Sequence, residues 1–206
     1  TSSTVRDAGN AERILLAVKP QVFDEVAKEL APLSGPCLVM SVMAGLSSGT
    51  IRERLGASAR VVRAMPNTPC RIHAGVTAVA AGVGADEPDV VETERILATV
   101  GDVVRVEEKD MYAVTAVSGS GPAYVFLLTE AWIAAAVSRG IERGTAERLV
   151  RGTLQGAAAL VGGGEDPGEL RAAVTSKGGT TAAAIAALEA RGFRDAVDEA
   201  IGAATR

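Results

Sequence analysis

The stretch Arg13-Ile-Leu-Leu-Ala-Val-Lys-Pro20 decides the fold class of this 206-residue chain, because an uninterrupted apolar run ends there at a lysine and a proline. Apolar runs of this length are typical of parallel strands that are buried on both faces of a sheet. The segment that follows, residues 22–30, has its apolar side chains at helical spacing. A buried strand followed by an amphipathic helix indicates an α/β fold with a mostly parallel sheet.

The same alternation of strands and helices continues over the first half of the chain. Short connections between such elements favour right-handed crossovers. We therefore predict an α/β domain over residues 1–108, with further strands at 37–44, 60–65, 75–81 and 103–106 and further helices at 47–55 and 86–100.

The second half is rich in alanine, and we predict helices at 110–117, 123–139, 145–161, 169–175, 181–191 and 193–203. The apolar run over residues 123–137 carries Glu130 and is too short to cross a bilayer, so we expect a buried helix. A helical half of this size provides little cover for it. We therefore expect two copies of the chain to associate through residues 109–206, the alternative being a monomeric bundle packed on the sheet.

The composition excludes several classes of function. Hydrophobic residues make up 48% and charged residues 22% of the chain, which excludes disorder over most of its length. A net charge of −4 and an aromatic content of 3% argue against nucleic acid as a partner. The single histidine, His73, excludes a histidine-rich metal site. Cys37 and Cys70 form no CxxC motif, so we interpret them as buried thiols of a reducing, cytoplasmic compartment.

The phosphate-binding motifs of nucleotide-binding α/β folds do not occur in this sequence. Neither GxGxxG nor GxxxxGK[ST] is present, although pyrophosphate binding in such folds uses a glycine turn at a helix N-terminus. Only a short polar lead precedes the strand that ends at Lys19. We expect that the chain lacks the first strand-loop-helix unit of the fold, the alternative being a fold that binds a different ligand.

Two stretches at predicted strand ends carry candidate binding residues. Arg63-Ala-Met-Pro-Asn-Thr-Pro69 follows a predicted strand, and ligands bind at the carboxyl ends of strands in open parallel sheets. Its alternative interpretation is a rigid turn. Lys19-Pro20 follows another predicted strand. Its alternative interpretation is a lysine that caps the sheet edge. Arg63 and Arg71 have the charge to bind phosphate, the alternative being surface ion pairs. For His73, a structural role is the simpler interpretation.

Two further stretches precede predicted helices. Ser118-Gly-Ser-Gly-Pro122 fails the GxSxG pattern of serine nucleophiles, so we interpret it as a helix start capped by Ser120, or as a packing turn. Ser176-Lys-Gly-Gly-Thr-Thr181 combines two glycines with three hydroxyl side chains. Free N–H groups, a helix dipole and hydroxyls together predict a compact carboxylate site. The alternative is an ordinary N-cap, which needs only one hydroxyl.

Taken in order, these motifs resemble the pyrroline-5-carboxylate reductase family of proline biosynthesis. The resemblance runs from about Ile14 to the C-terminus. Four stretches carry it: Leu16-Ala-Val-Lys-Pro20, Met65-Pro-Asn-Thr-Pro69, residues 113–124 and Val174-Thr-Ser-Lys-Gly-Gly-Thr-Thr181. Lys177 departs from the family, which often has proline at that position.

The resemblance implies a partial Rossmann-like NAD(P)-binding domain over residues 1–108 and an all-α dimerisation domain over 109–206. It implies an oxidoreductase that reduces 1-pyrroline-5-carboxylate to L-proline with NADPH or NADH, as a cytoplasmic homodimer or a larger assembly such as a decamer. No nucleic acid and no membrane are expected as partners. The implied cofactor-binding residues are Ala17, Val18, Lys19, Pro20, Met65, Pro66, Asn67 and Thr68. The implied substrate-binding residues are Ser176, Gly178, Gly179, Thr180 and Thr181, of which Thr181 would hydrogen-bond the ring nitrogen as the catalytic residue.

Two alternatives of other classes stay open at this point. One is a non-catalytic helical dimer that keeps the substrate pocket without competent cofactor binding. The other is a related dehydrogenase that acts on a hydroxy acid, for which Lys177 is the one lysine beyond Lys109. The choice between NADPH and NADH is left open by the sequence.

Overall fold

The computed structural model describes residues 5–205, which divide into two compact units. One unit runs as far as Pro122 and includes Ala204 and Thr205, and the other comprises Ala123–Ala203. The strands are β1 (Arg13–Leu16), β2 (Cys37–Ser41), β3 (Ala59–Pro66), β4 (Gly75–Ala81) and β5 (Gly101–Arg105). The helices are α1 (Val5–Ala8), α2 (Phe23–Leu30), α3 (Ser48–Leu55), α4 (Glu87–Leu97), α5 (Met111–Val114), α6 (Gly121–Val137), α7 (Arg143–Gly162), α8 (Pro167–Ala173), α9 (Thr180–Ala190) and α10 (Phe193–Ala204).

The sheet has the order β1-β2-β3-β4-β5, and its first three strands are parallel. β4 runs antiparallel to β3, and β5 runs parallel to β4. The connection from β3 to β4 explains this reversal. It holds only a 3₁₀ turn at Thr68–Ile72, whereas a parallel crossover needs a dozen residues or more. The predicted mostly parallel sheet is confirmed.

Helices cover both faces of the sheet. On one face, Phe23 of α2 and Leu55 of α3 share a buried cluster with Val61 of β3. On the other face, Leu97 of α4 shares a cluster with Val62, the next residue of the same strand. Adjacent strand residues point to opposite faces, so a strand covered on both sides must be apolar throughout. This is the continuous pattern from which the buried strands were predicted.

Strand β2 is shorter than the predicted 37–44. It ends at Ser41, after which the Val42 N–H donates one further hydrogen bond to Leu16 O at 3.1 Å. The chain then turns through Gly45, whose φ of 76° lies in the left-handed region. An apolar run does not by itself show where ladder pairing stops.

Helix α6 corrects the prediction of a buried helix over residues 123–137. No residue of α6 is buried in this chain, and Phe126 and Leu127 are 58% and 67% exposed. The helix is apolar almost all round, and the other helices of its unit do not enclose it. Its exposed apolar surface is the type that soluble proteins cover by association.

The helical stretch that contains α6 is also longer than expected. Glu108–Val137 is continuous over 30 residues, and by length and composition alone it could cross a membrane. The prediction that residues 123–137 are too short to span a bilayer concerned only part of this longer stretch. Helices that pack against protein can have the same length and composition, so these properties do not show whether lipid or protein covers this helix.

Candidate functional site

The ends of β1, β2 and β3 lie at one edge of the sheet, because these strands are parallel and in register. Leu16 pairs with Ser41, and Ser41 pairs with Arg63. The segments that follow β1 and β3 are therefore two strand spacings apart, about 10 Å. The structure thus brings the predicted Ala17–Pro20 and Met65–Thr68 segments to the same edge.

The segment after β1 leads directly into a helix. Lys19 has an extended backbone and is exposed, and Pro20 opens a 3₁₀ turn at Pro20–Val22 that continues into α2. No side chain caps this turn. The positive end of the helix dipole therefore faces the sheet edge without a side-chain acceptor.

The segment after β3 is held by its own asparagine. Asn67 Oδ1 accepts a hydrogen bond from the Val76 N–H at 3.0 Å, and Asn67 O accepts one from the Cys70 N–H at 3.1 Å. Met65 is buried, whereas Thr68 is exposed. The oxygen of the Asn67 amide is thus used to fix the loop, and its amino group remains available as a donor.

The residues that follow this loop have structural roles. His73 adopts a left-handed backbone with φ of 57°, and its Nδ1 lies 2.8 Å from Thr99 O. Because a carbonyl oxygen only accepts, Nδ1 carries the proton. Cys70 is only partly buried, which corrects the prediction of two buried thiols, and Cys37 is buried as predicted.

Arg63 belongs to a partly buried polar cluster with Ser48 and Glu108 that the sequence alone did not predict. It is 3% exposed, so both the phosphate contact and the surface ion pair considered for it are wrong. Its Nη1 lies 3.6 Å from Glu108 Oε1. The Ser48 N–H donates to Glu108 Oε1 at 2.6 Å, and the Ser48 hydroxyl donates to Oε2 at 2.5 Å. Glu108 stands in a charged stretch with no local sign of burial, so only the tertiary contacts identify it.

The Ser118–Pro122 stretch is not a capped helix start. Thr115–Gly119 forms a π-helical turn, and the Ser120 N–H donates to Thr115 O at 2.8 Å. Ser120 has helical dihedrals within a continuous helical stretch, which corrects its predicted capping role. Single π turns inside helices are frequent at functional sites.

The Ser176–Thr181 stretch is a turn between α8 and α9 in the helical unit. Gly178 has φ of 76°, and the Gly179 N–H donates to Ser176 O at 3.0 Å. A Cβ atom on Gly179 would lie 2.5 Å from Ser176 Oγ. Each position therefore favours glycine for a steric reason: Gly178 because of its positive φ, and Gly179 because Ser176 approaches it closely.

The N-terminus of α9 distinguishes the two interpretations of this turn. Gly179 occupies the N-cap position, and no side chain makes a capping hydrogen bond to this helix. The hydroxyls around it are thus not used as an ordinary N-cap. Their arrangement leaves N–H donors and alcohols at a positive helix end, which can bind a small carboxylate.

The described residues provide no metal centre. Over residues 5–205, no group of three or more His, Cys, Asp or Glu side chains is placed to hold a metal ion. The candidate residues of the α/β unit are the segments at the sheet edge, and those of the helical unit are the hydroxyls and backbone amides at the start of α9.

These features define the class of the protein: a Rossmann-like α/β unit followed by a helical C-terminal unit. Residues 108–206 match the model of the family described as "Pyrroline-5-carboxylate reductase dimerisation". The chain belongs to the pyrroline-5-carboxylate reductase family, because curated members that are 44% and 43% identical to it are matched over most of their length.

Two curated relatives and two solved structures illustrate the similarity. The pyrroline-5-carboxylate reductase of Synechocystis sp. is 44% identical over 98% of this chain and 76% of its own length. That of Corynebacterium melassecola is 43% identical over 92% and 72%. The crystal structure of Plasmodium falciparum pyrroline carboxylate reductase with NADP bound has a TM-score of 0.91 and 32% identity, covering 99% of this chain and 79% of that one. The Coxiella burnetii enzyme has a TM-score of 0.90 and 38% identity, covering 99% and 77%.

Proposed function

We propose that this chain reduces 1-pyrroline-5-carboxylate to L-proline with NADPH or NADH. The substrate is a cyclic imine that carries one carboxylate. A hydride adds to the imine carbon and a proton adds to the nitrogen, which converts the C=N bond to C–N and leaves oxidised NAD(P). The observation that carries the proposal is the uncapped N-terminus of α9 in a chain of this family.

The substrate carboxylate is assigned to Ser176, Gly178, Gly179 and Thr180. Two observations support this assignment: α9 has no side-chain cap, and the two glycines hold the turn in a form that other residues would strain. A negative carboxylate is favoured at the positive end of a helix. Thr181, in the first turn of α9, is assigned to the ring nitrogen.

The cofactor is assigned to the segments at the sheet edge, namely Ala17, Val18, Lys19, Pro20, Met65, Pro66, Asn67 and Thr68. Their fit rests on the uncapped turn after Lys19 and on the donor left free by Asn67. The NADP-bound Plasmodium relative, which has the same fold, adds support. NAD(P)H would supply the hydride, and these residues would bind and orient it.

The proton that is added to the ring nitrogen is assigned to the substrate itself or to water as its source. The proposed substrate turn holds hydroxyl groups and Lys177, and it contains no carboxylic acid or histidine. The imine therefore arrives protonated or takes its proton through water. Thr181 orients the nitrogen, so the contribution of the protein is positioning.

The active assembly is proposed to be a cytoplasmic homodimer, with a decamer as a larger form. The family model for dimerisation matches residues 108–206, which supports a substrate-binding and dimerisation domain over 109–206 after a cofactor domain over 1–108. The exposed apolar surface of α6 supplies the surface that a second copy would cover.

The test is an assay of NADPH and NADH oxidation with 1-pyrroline-5-carboxylate, with chromatographic detection of L-proline. Formation of proline in proportion to the cofactor oxidised is the expected result. Cofactor binding without turnover would instead indicate the non-catalytic dimer. Turnover of a hydroxy acid with oxidised cofactor, abolished by Lys177→Ala, would indicate the other dehydrogenase class.

A further inference from the structure

The carboxylate of Glu108 lies between two positive groups. One is the Arg63 guanidinium, which is buried on β3, and the other is the N-terminus of α3, where the Ser48 N–H and hydroxyl both donate to it. The Ser48 hydroxyl also accepts a hydrogen bond from the Val83 N–H at 3.0 Å. The Glu108 carboxylate thus joins β3 to α3, and the Ser48 hydroxyl links this pair to the segment that follows β4.

The helical stretch that starts at Glu108 packs against the end of β3. Met111, one turn along, shares a buried cluster with Met65. A Cβ atom on Gly119 would lie 3.8 Å from Met65 Sδ, so the π turn contacts the same methionine. At 1.5 Å per residue, Glu108 and Gly119 are about 16 Å apart along the helix.

We propose that Glu108 is a positioning residue for the Met65–Thr68 loop: it fixes the register of residues 108–119 on β3 and thereby the packing of Gly119 on Met65. The functional consequence rests on the proposed function, in which this loop binds the cofactor. If residues 108–119 shift along β3, the side chains packed beneath them must move as well, because packed protein interiors transmit small displacements.

The neighbouring charges do not share this role. Glu107 is exposed and pairs with Lys109 at 2.5 Å. Glu107→Gln therefore removes the same charge one residue away without touching Arg63 or Ser48. In Glu108→Gln, by contrast, the Ser48 hydroxyl loses its carboxylate acceptor and Arg63 loses its counter-charge.

The experiment uses the four methionines of the chain as probes in ¹³C-methyl NMR of the ligand-free protein. Glu108→Gln is expected to move the methyl resonances of Met65 and Met111 and to leave that of Met40, which packs on the other face of the sheet, in place. Glu107→Gln is expected to move none of them. Unchanged Met65 and Met111 resonances in Glu108→Gln, or equal changes in both variants, overturn the proposal.

The consequence for the site is measured with NADPH as the probe. Glu108→Gln is expected to lower kcat/KM by about 10- to 100-fold, the scale of a displacement of about 1 Å at a reactive site, while Glu107→Gln retains wild-type values. A purely stabilising role would lower Tm in Glu108→Gln and leave the Met65 resonance and kcat/KM of the folded variant unchanged, which also overturns the proposal.

Two further measurements keep the outcomes separate. If NADPH does not perturb the Met65 methyl of the wild-type chain, the proposed cofactor site fails, whereas the ligand-free spectra still decide the role of Glu108. If Glu108→Gln does not fold, Ser48→Ala takes its place, since it removes the hydroxyl that donates to Glu108 and accepts from the Val83 N–H but keeps the charge of Glu108. Met65 and Met111 resonances that do not move in Ser48→Ala then overturn the proposal.

Discussion

Arg60 on β3 and Asp89 on α4 form a two-point ion pair that joins the sheet to the helix above it. Arg60 Nε donates to Asp89 Oδ2 at 2.9 Å, and Nη2 donates to Oδ1 at 3.1 Å. Asp89 also accepts from the Asp86 N–H at 3.3 Å, within the capping box at the start of α4. One buried carboxylate therefore serves both the ion pair and the helix N-terminus.

Replacement of this carboxylate should destabilise the α/β unit. Asp89→Asn is expected to lower the free energy of unfolding by about 2 kcal/mol, since it loses charged hydrogen bonds to a partner that is one-third exposed. Urea denaturation measures the change. Asp24→Asn is the matched control, because its pair with Arg54 is exposed on both sides. Equal effects of the two substitutions would contradict the assignment.

The same pair should make stability depend on acidity. Burial alone would raise the pKa of Asp89, but hydrogen bonds from Arg60 and from the Asp86 N–H outweigh it and hold the pKa below the ordinary value of 3.8. The contribution of the pair is then complete above pH 3.8 and is lost as the pH falls through the lower native pKa. The stability difference between wild type and Asp89→Asn should be constant near neutral pH and shrink only in strong acid. A difference that changes around pH 6 to 7 would contradict this account.

The two cysteines should differ in reactivity. Cys37 is buried, and its burial raises the pKa of the thiol despite the nearby Arg60, so little thiolate is present in the folded protein. Ellman's reagent should label Cys70 first and Cys37 about 100-fold more slowly or only on unfolding. Cys70→Ser should abolish the fast phase. A fast phase that survives in this variant would show that Cys37 is accessible.

The two glycines of the proposed substrate turn, Gly178 and Gly179, should tolerate alanine poorly, each for a different steric reason. Gly178→Ala places a side chain at a φ of 76°, and Gly179→Ala places one 2.5 Å from Ser176 Oγ. Each should cost about 1 kcal/mol of stability and weaken proline binding, measured by calorimetry. Gly202→Ala on α10 is the control, because that position is open and helical and alanine should not destabilise it. Proline binding unchanged in both turn variants would argue against the site.

Thr181 should matter for turnover more than for folding. Thr181→Ala is expected to lower kcat by about 10- to 100-fold, which corresponds to one positioned hydrogen bond of roughly 1.5–3 kcal/mol. Steady-state kinetics with saturating cofactor measure it. Thr153→Ala is the control, since the Thr153 hydroxyl donates to Leu149 O of its own helix at 2.9 Å. Full activity of Thr181→Ala would remove Thr181 from the proposed mechanism.

The exposed surface of α6 should control association. Leu127→Asp is expected to weaken the proposed dimer about 100-fold, the scale of one apolar side chain at an interface centre, as measured by sedimentation velocity. Ile72→Asp is the control, because Ile72 is 75% exposed in the other unit. A dimer that tolerates Leu127→Asp would place the interface elsewhere.

The α/β class and most helices could be predicted from the sequence because they depend on local periodicity. The run from Arg13 to Val18 forms β1 at Arg13–Leu16, and the helix predicted over 86–100 is α4 at Glu87–Leu97. Element ends were less predictable. Strand β2 stops at Ser41 because pairing with its neighbours stops there, and pairing is not encoded in one segment.

For the candidate residues, the sequence by itself determined the residue types of each segment: glycines with hydroxyls before α9 in the helical unit, and proline-containing segments at the ends of β1 and β3 in the α/β unit. Only the tertiary structure decided that Ser120 is helical, that α6 is exposed and that Arg63 is buried against Glu108. The physical reason is distance along the chain. Local steric and hydrogen-bonding preferences act over a few residues, whereas burial and charge pairing depend on residues such as Ser48 and Glu108, which are 60 positions apart.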